Sequence, residues 1–162
     1  MGVRIVSSGD PGIGDPLTLE NQVCFALTIA ARNVVALYRP VLAPLGLTHP
    51  QYLVMLALWQ FAPLSVKELA TLLELDSATL SPLLKRLEAA GLVRRERDPE
   101  DERRLVVTLT PAGREMREQA RDIPERMMRL LGMDAAELHQ LNAVLSRLNA
   151  AATGAGRADA DS

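Results

Sequence analysis

Polar and cationic side chains alternate with leucines between residues 76 and 91, in a pattern that suits contact with DNA. The leucines recur at spacings of three and four and predict one buried helical face; they are Leu80, Leu83, Leu84 and Leu87. Between them lie short polar and cationic groups of the kind that bind base edges and phosphate oxygens. The candidate DNA-binding residues of this helix are Asp76, Ser77, Thr79, Ser81, Lys85 and Arg86.

Two β-forming segments follow at residues 92–97 and 104–109, with the turn sequence Asp-Pro-Glu-Asp at 98–101. They predict a basic hairpin, the wing of a winged helix-turn-helix. Its candidate DNA-binding residues are Arg95, Asp101, Arg103 and Arg104. Asp101 could instead pair with a neighbouring arginine and hold the tip in shape, and Arg103 and Arg104 could be ordinary wing-tip charges.

The net charge of −2 hides a basic segment. Residues 77–97 contain five cations and two anions, so they carry +3 and the rest of the chain carries −5. A phosphate backbone responds to such a local concentration of charge, although a charge cluster alone also fits a solvated face. Aromatic residues make up only 3% of the chain, which argues against stacking platforms for single strands. The predicted partner is double-stranded DNA.

Cys24 is the one thiol of the chain. A thiolate would be a nucleophile, and the early position of Cys24 in its predicted helix favours that form modestly. A lone cysteine on an apolar helix is more often an inert core residue. Tyr38 lies fourteen residues later, about four turns, so a contact with Cys24 needs a bend or a second subunit. His49 and His139 have no cysteine or histidine nearby at ligand spacing, so we expect no metal and no cofactor.

The elements that must position these residues are mainly helical. Residues 1–16 are rich in Gly, Pro and Ser and are predicted to be flexible, and residues 152–162 to be a disordered tail. The domain between them, residues 17–151, should contain long helices at 17–43 and 134–151, a helix opening at His49-Pro50, and a short helix capped by Ser65. The recognition helix should start at Ser77 despite Pro82, because that start extends the leucine stripe. A helix from Pro111 should bend at Pro124.

The first and last helices carry more apolar residues than a small winged helix can cover, which predicts packing against a second copy. A symmetric dimer would place two recognition helices about one duplex turn apart and would read a palindromic site. We expect no signal peptide, and no membrane span, because no uninterrupted apolar run reaches about 18 residues. A single cysteine excludes an internal disulfide and fits a reducing cytoplasm.

The order of these elements, centred on LLKRLEAAGLVRRERDPEDERRLVVTLTPAG, resembles the MarR family of bacterial repressors over residues 17–151. The front segments LENQVCFAL and LYRPVLAPLGLTHPQYLVMLALW resemble its organic-hydroperoxide-sensing branch. The resemblance implies a winged helix-turn-helix with long N- and C-terminal dimerisation helices. It also implies that Asp76 and Ser77 start the recognition helix, that Arg95 lies near phosphates, and that Arg103 enters the minor groove.

For the sensing residues, the resemblance matches Cys24 to the reactive cysteine and Tyr38 to a tyrosine that hydrogen-bonds it. The branch usually has a second tyrosine, reaching the cysteine from the partner subunit, where this chain has His49. No second cysteine exists to resolve oxidised Cys24. The chain therefore resembles the one-cysteine type, which needs a small thiol to form a mixed disulfide.

These observations predict a homodimeric, non-enzymatic repressor that releases its operator when an organic hydroperoxide oxidises Cys24. One alternative is a MarR-like repressor gated by a small aromatic or phenolic ligand in the dimer crevice. Another is a thiol peroxidase acting through Cys24. Against the peroxidase, the chain has no resolving cysteine and no arginine close to Cys24 in sequence.

Overall fold

A computed structural model describes the backbone of residues 17–160, and the side chains of that range except at 20 and 155–160. The predicted flexible segment 1–16 lies outside the described residues. Two short 3-10 turns, Leu19–Asn21 and Ala43–Leu45, flank the first helix. The helices are α1 (Val23–Leu42), α2 (His49–Phe61), α3 (Val66–Leu73), α4 (Ser77–Ala89), α5 (Pro111–Gln119), α6 (Ile123–Leu131) and α7 (Ala135–Ala160). The strands are β1 (Leu64–Ser65), β2 (Val93–Arg97) and β3 (Leu105–Leu109). The predicted mainly helical fold with a small β-hairpin is confirmed.

The chain divides into two compact units, one ending at Ala36 and the other beginning at Leu37. In the described part of the first unit, residues 17–36, no side chain is buried. Its apolar side chains include Val23, Phe25 and Val35, which are 61%, 36% and 41% exposed. Exposed apolar surface of this kind is typical of an interaction site.

The second unit holds the hydrophobic core. The four leucines predicted to form the buried face of α4 are all buried there: Leu80, Leu83, Leu84 and Leu87. They pack in one cluster with side chains of α2, α3 and the sheet, among them Met55, Leu58, Leu69 and Val107. Burial of this stripe fixes which side of α4 is left to face solvent.

The wing belongs to a three-stranded antiparallel sheet in the order β1-β3-β2. Arg95 is opposite Val107 and Arg97 is opposite Leu105 in the predicted hairpin. The third strand, β1, has only two residues, and Ser65 in it pairs with Val106. No alternating pattern marks so short a strand, so this pairing was not predicted.

Local signals place α4 correctly. The Asp76 carboxylate accepts a hydrogen bond from the Thr79 amide at 2.6 Å, so Asp76 rather than Ser77 is the cap. The helix begins at Ser77 and accommodates Pro82 in its interior, as predicted. After the helix, Gly91 has a φ of +73°, the left-handed conformation in which glycine avoids a steric penalty.

Three helix boundaries differ from the sequence predictions. The chain at Gln22 is extended, so α1 begins at Val23 instead of residue 17. The predicted bent helix from Pro111 is two separate helices, α5 and α6. The Pro124 ring would clash with the carbonyl four residues earlier in a continuous helix, whereas the first turn of a helix, where Pro124 lies in α6, tolerates proline. The last helix continues to Ala160, through the predicted tail, because half of residues 151–160 are alanine, the strongest helix former.

The apolar character of the first helix also exceeds the prediction. In the described part of the chain, Val23–Leu45 is long and apolar enough to cross a membrane by length and composition, with a mean hydropathy of 1.2 over 18 residues. The expectation of no membrane span was based on the length of uninterrupted apolar runs. A mean hydropathy over 18 residues can stay high even when the segment contains Arg32 and Arg39. By itself the finding is weak evidence for a membrane segment.

Gly113 is expected to be intolerant of any side chain. A Cβ at this position would lie 2.0 Å from the Leu92 carbonyl oxygen, where α5 crosses the base of the hairpin. The Gly113 carbonyl also accepts a 2.8 Å hydrogen bond from Trp59 Nε1. Gly113→Ala should therefore lower the free energy of unfolding by about 1–3 kcal/mol or more, measured by urea denaturation. Gly154→Ala, with nothing within 4 Å, is the control and should be neutral or stabilising; equal stability of both variants would contradict the close approach.

Candidate functional site

The solvent side of α4 carries the polar residues singled out from the sequence. Ser77, Thr79, Lys85 and Arg86 are exposed, and Ser81 is half-buried. Ser77, Ser81 and Lys85 are four residues apart, so they follow one another along one side of the helix. This face can offer hydroxyl and ammonium groups to bases and phosphates.

Asp76 has a structural task at the start of this surface. The hydrogen bond from the Thr79 amide, followed by one from the Thr79 side chain, holds the pKa of the Asp76 carboxyl below its usual value. The carboxylate is therefore ionised at neutral pH and remains bonded to the first turn of α4. Its role in the structure is to fix where the recognition helix begins.

The wing tip is shaped by backbone hydrogen bonds. The Arg103 amide donates to Asp101 Oδ1 at 3.0 Å, and the Arg104 amide donates to the Asp101 carbonyl at 2.9 Å. The Asp98 amide closes the turn by donating to the Arg104 carbonyl at 2.9 Å. Asp101 therefore does hold the tip, but through the amide of Arg103 rather than through an arginine side chain.

The predicted cations fall into two groups. Arg95 lies in β2 with its Nε 3.4 Å from a carboxylate oxygen of Glu88, and Arg104 forms ion pairs with Glu68 and, at 3.8 Å, with Asp98. Arg94 of β2 is exposed but pairs with Glu96 at 3.0 Å. The exposed cations of α4 and the wing that form no ion pair within residues 17–160 are Lys85, Arg86, Arg97 and Arg103. Arg97 belongs to this group, although in the sequence it was counted only as one charge of the basic segment and was not a candidate DNA-binding residue. Unpaired cations are the groups best placed to replace counterions on phosphates.

Cys24 is the second residue of α1, and its side chain is exposed. The Thr28 hydroxyl donates a 2.7 Å hydrogen bond to the Cys24 carbonyl. Cys24 lies at the start of α1 and Tyr38 near its end.

Tyr38 and His49 instead contact each other. Their ring centroids are 4.7 Å apart, and Tyr52 lies 6.0 Å beyond Tyr38 and 6.3 Å from Trp59. Burial raises the pKa of Tyr38 and lowers the pKa of His49. Both side chains are therefore predominantly neutral near pH 7. Tyr52 and Trp59 are seven residues apart and share a face of α2, whereas the addition of Tyr38 and His49 depends on tertiary packing.

Two further features bear on ligands. Within the described residues, no three His, Cys, Asp or Glu side chains lie close enough together to hold a metal ion. A cleft of about 490 Å³ opens where α2 meets α5; it is lined by Tyr52, Leu56, Trp59, Gln60, Arg117, Ala120 and Arg121. Aromatic and guanidinium groups together suit a small aromatic anion.

An exposed helix followed by a basic wing on a small antiparallel sheet defines a winged helix-turn-helix DNA-binding protein. The model of the MarR family matches residues 47–105. The organic hydroperoxide resistance transcriptional regulator of Bacillus subtilis is 42% identical over 134 residues, which cover 83% of this chain and 91% of that protein. The chain therefore belongs to the MarR family.

Solved structures agree with this assignment. AbfR of Staphylococcus epidermidis, in its reduced form bound to DNA, is 34% identical with a TM-score of 0.72, covering 84% of this chain and 93% of that one. BpsR of Bordetella bronchiseptica, whose DNA binding is regulated by 6-hydroxynicotinic acid, is 28% identical with a TM-score of 0.74, covering 83% and 98%. This protein is a DNA-binding transcriptional regulator and not an enzyme.

Proposed function

We propose that this regulator is a repressor that senses organic hydroperoxides through oxidation of Cys24. The observation that carries the proposal is the single exposed thiol at the start of α1, in a chain 42% identical to an organic hydroperoxide resistance regulator. A sensor thiol has to be reachable by its oxidant. The cytoplasm, where DNA is found, is the proposed location.

The chemistry requires one peroxide and one small thiol. The Cys24 thiolate attacks the terminal oxygen of the hydroperoxide; an S–O bond forms, the O–O bond breaks, and the alkoxide takes a proton and leaves as an alcohol. The sulfur has then been oxidised by two electrons to a sulfenic acid. A small thiol condenses with it, forming a mixed disulfide and releasing water.

A homodimer would complete the sensing site. We propose that the groups near Cys24 are Tyr38 and His49 of the partner subunit, because the resemblance matches these two positions to residues that reach the reactive cysteine. The apolar surface of α1 would be covered in this dimer, which accounts for its hydropathy without a membrane. On α7, Leu141, Leu145 and Leu148 are 42%, 37% and 40% exposed and share one side of the helix. We propose that this side is the second part of the interface.

The dimer leads to a prediction of mass. Light scattering of the native chain at micromolar concentration should give about twice the monomer mass of 17.6 kDa. Leu145→Lys should shift the protein toward monomer, because a buried ammonium group opposite apolar side chains is strongly unfavourable. Gln140→Lys, on another side of α7, should leave the mass unchanged. A native mass near 17.6 kDa would contradict the proposed interface.

The sensing proposal is tested by DNA release. Fluorescence anisotropy would follow binding of the native protein to a labelled duplex from upstream of its own gene. Cumene hydroperoxide together with a small thiol should release the DNA, and a reductant added afterwards should restore binding by cleaving the mixed disulfide. Unchanged anisotropy, with mass spectrometry confirming that Cys24 had been modified, would show that oxidation does not control binding.

His49 should make the reaction of Cys24 sensitive to mild acid. Burial lowers the pKa of His49, so its cation forms only at a more acidic pH than that of a free imidazole. If the partner's His49 faces Cys24, that cation stabilises the thiolate and adds a second step to the pH profile. His49→Tyr should remove this step while preserving sensing. Rates of thiol modification from pH 5 to 9 test this, and superimposable profiles would mean that His49 does not reach the thiol.

A second candidate function is gating by a small aromatic anion. The cleft that contains Trp59, Arg117 and Arg121 supports it. The two candidates differ in what releases DNA from a Cys24→Ser variant. Release by an aromatic carboxylate such as 6-hydroxynicotinate would favour ligand gating, whereas a variant unresponsive to it would leave oxidation as the signal.

A further inference from the structure

Glu68 links α3, the helix that precedes α4 in the helix-turn-helix, to the wing. Its Oε2 atom accepts a hydrogen bond from the Ser65 amide at 2.7 Å and another from the Arg104 guanidinium. Glu68 lies in the first turn of α3, and Arg104 directly precedes β3. Within residues 17–160, this is the one side-chain hydrogen bond between the wing tip, residues 98–104, and another element.

The local structure around Ser65 brings the two charges together. Ser65 is at once the cap of α3, accepting from the Glu68 amide at 3.2 Å, and a residue of β1 paired with Val106 of the wing. The reciprocal capping bond therefore turns the Glu68 carboxylate toward the chain just before Val106. Asp98 lies 3.8 Å from the same guanidinium.

The ionisation of Glu68 is secured by the same contacts. The Ser65 amide and then the Arg104 guanidinium hold the pKa of the Glu68 carboxyl below its usual value, and Glu68 raises the pKa of Arg104. Both groups are charged across the physiological range. Because Glu68 and Asp98 already take up its charge, Arg104 has less to offer a phosphate than the neighbouring unpaired Arg103.

We propose that Glu68 is a positioning residue for DNA binding, which fixes the wing through Arg104 so that Arg103 is presented in one orientation. The wing tip is otherwise held mainly by bonds within itself. Without the Glu68 link, the tip can occupy several orientations, and part of the binding free energy would be spent on ordering it. The Arg104 guanidinium acts within the protein, although its sequence pattern predicted a contact with DNA.

The test uses Glu68→Gln in the full-length protein. The amide oxygen of glutamine can still accept the Ser65 capping bond, but the charge is lost. A merely solvated anion near DNA would repel phosphates, so its removal would strengthen binding. A positioning role predicts the opposite sign: roughly three- to tenfold weaker binding to the upstream duplex. Glu102→Gln, at an exposed wing anion without an ion pair among the described residues, is the matched control and should bind as well as the native protein or better.

The salt dependence of binding gives a second readout. Glu68→Gln should leave the slope of log K against log salt unchanged, because no phosphate contact is lost. Arg104→Gln should weaken binding with the same unchanged slope, and the double variant should be no weaker than either single variant. Native or tighter binding by Glu68→Gln would overturn the proposal. So would a lower slope for Arg104→Gln with additive losses, because Arg104 would then be contacting phosphate.

Discussion

Cys24→Ser is expected to bind the operator like the reduced native protein and to ignore organic hydroperoxide. The serine hydroxyl nearly preserves the size of the thiol, so the exposed start of α1 should fold unchanged. It has no accessible anion at neutral pH and cannot form a sulfenic acid or a mixed disulfide. Release by cumene hydroperoxide and a small thiol, measured by anisotropy, should fall from nearly complete to none.

The control for this experiment is the native protein with Cys24 first blocked by an alkylating reagent. The blocked protein cannot be oxidised, and its DNA affinity reports what a bulky adduct does at this position. If Cys24→Ser still released DNA on peroxide treatment, the signal would have to enter elsewhere, with the six methionines as the other readily oxidised side chains.

Lys85→Ala and Arg103→Ala should each weaken DNA binding substantially, by roughly 5- to 100-fold. Both side chains are exposed and form no ion pair within the described chain, one on the recognition helix and one at the wing tip. Each loss of a phosphate contact should also lower the slope of log K against log salt by about 0.9 per cation. Titrations at several salt concentrations measure both quantities.

Arg129→Ala is the control for these two variants. Arg129 is exposed on α6 and paired with Glu125, so its removal changes the net charge equally without touching the proposed surface. Equal losses for all three variants would mean that only net charge matters. An unchanged slope for Lys85→Ala and Arg103→Ala would remove this face from the DNA interface.

Sequence patterns were reliable where short-range rules decide the structure. The leucine stripe and the start at Ser77 each depend on residues within a few positions of one another, and each agrees with the structure. The interruption at Pro124 also follows a local rule. Whether proline bends a helix or ends it, however, depends on how the turns on either side pack against the rest of the protein. That choice could not be made from sequence alone.

Contacts between distant residues were beyond the sequence patterns. The pairing of β1 with β3 and the bond from Arg104 to Glu68, 36 positions away, arise only after the wing folds onto α3. Arg104 therefore looked like its neighbour Arg103, although the two side chains have different surroundings. For Cys24 the missing information is of another kind, because its proposed neighbours belong to a second subunit.

The three-stranded sheet is also built in a way that should oppose strand-to-strand aggregation. β3 is central, with β1 on one side and β2 on the other, so among the described residues β2 is the one long strand at an edge of the sheet. Such an edge can recruit strands from other molecules, and charged side chains are a common defence. Four of the five residues of β2 are charged: Arg94, Arg95, Glu96 and Arg97. In a chain whose net charge is only −2, this edge supplies a local barrier to aggregation that the overall charge does not provide.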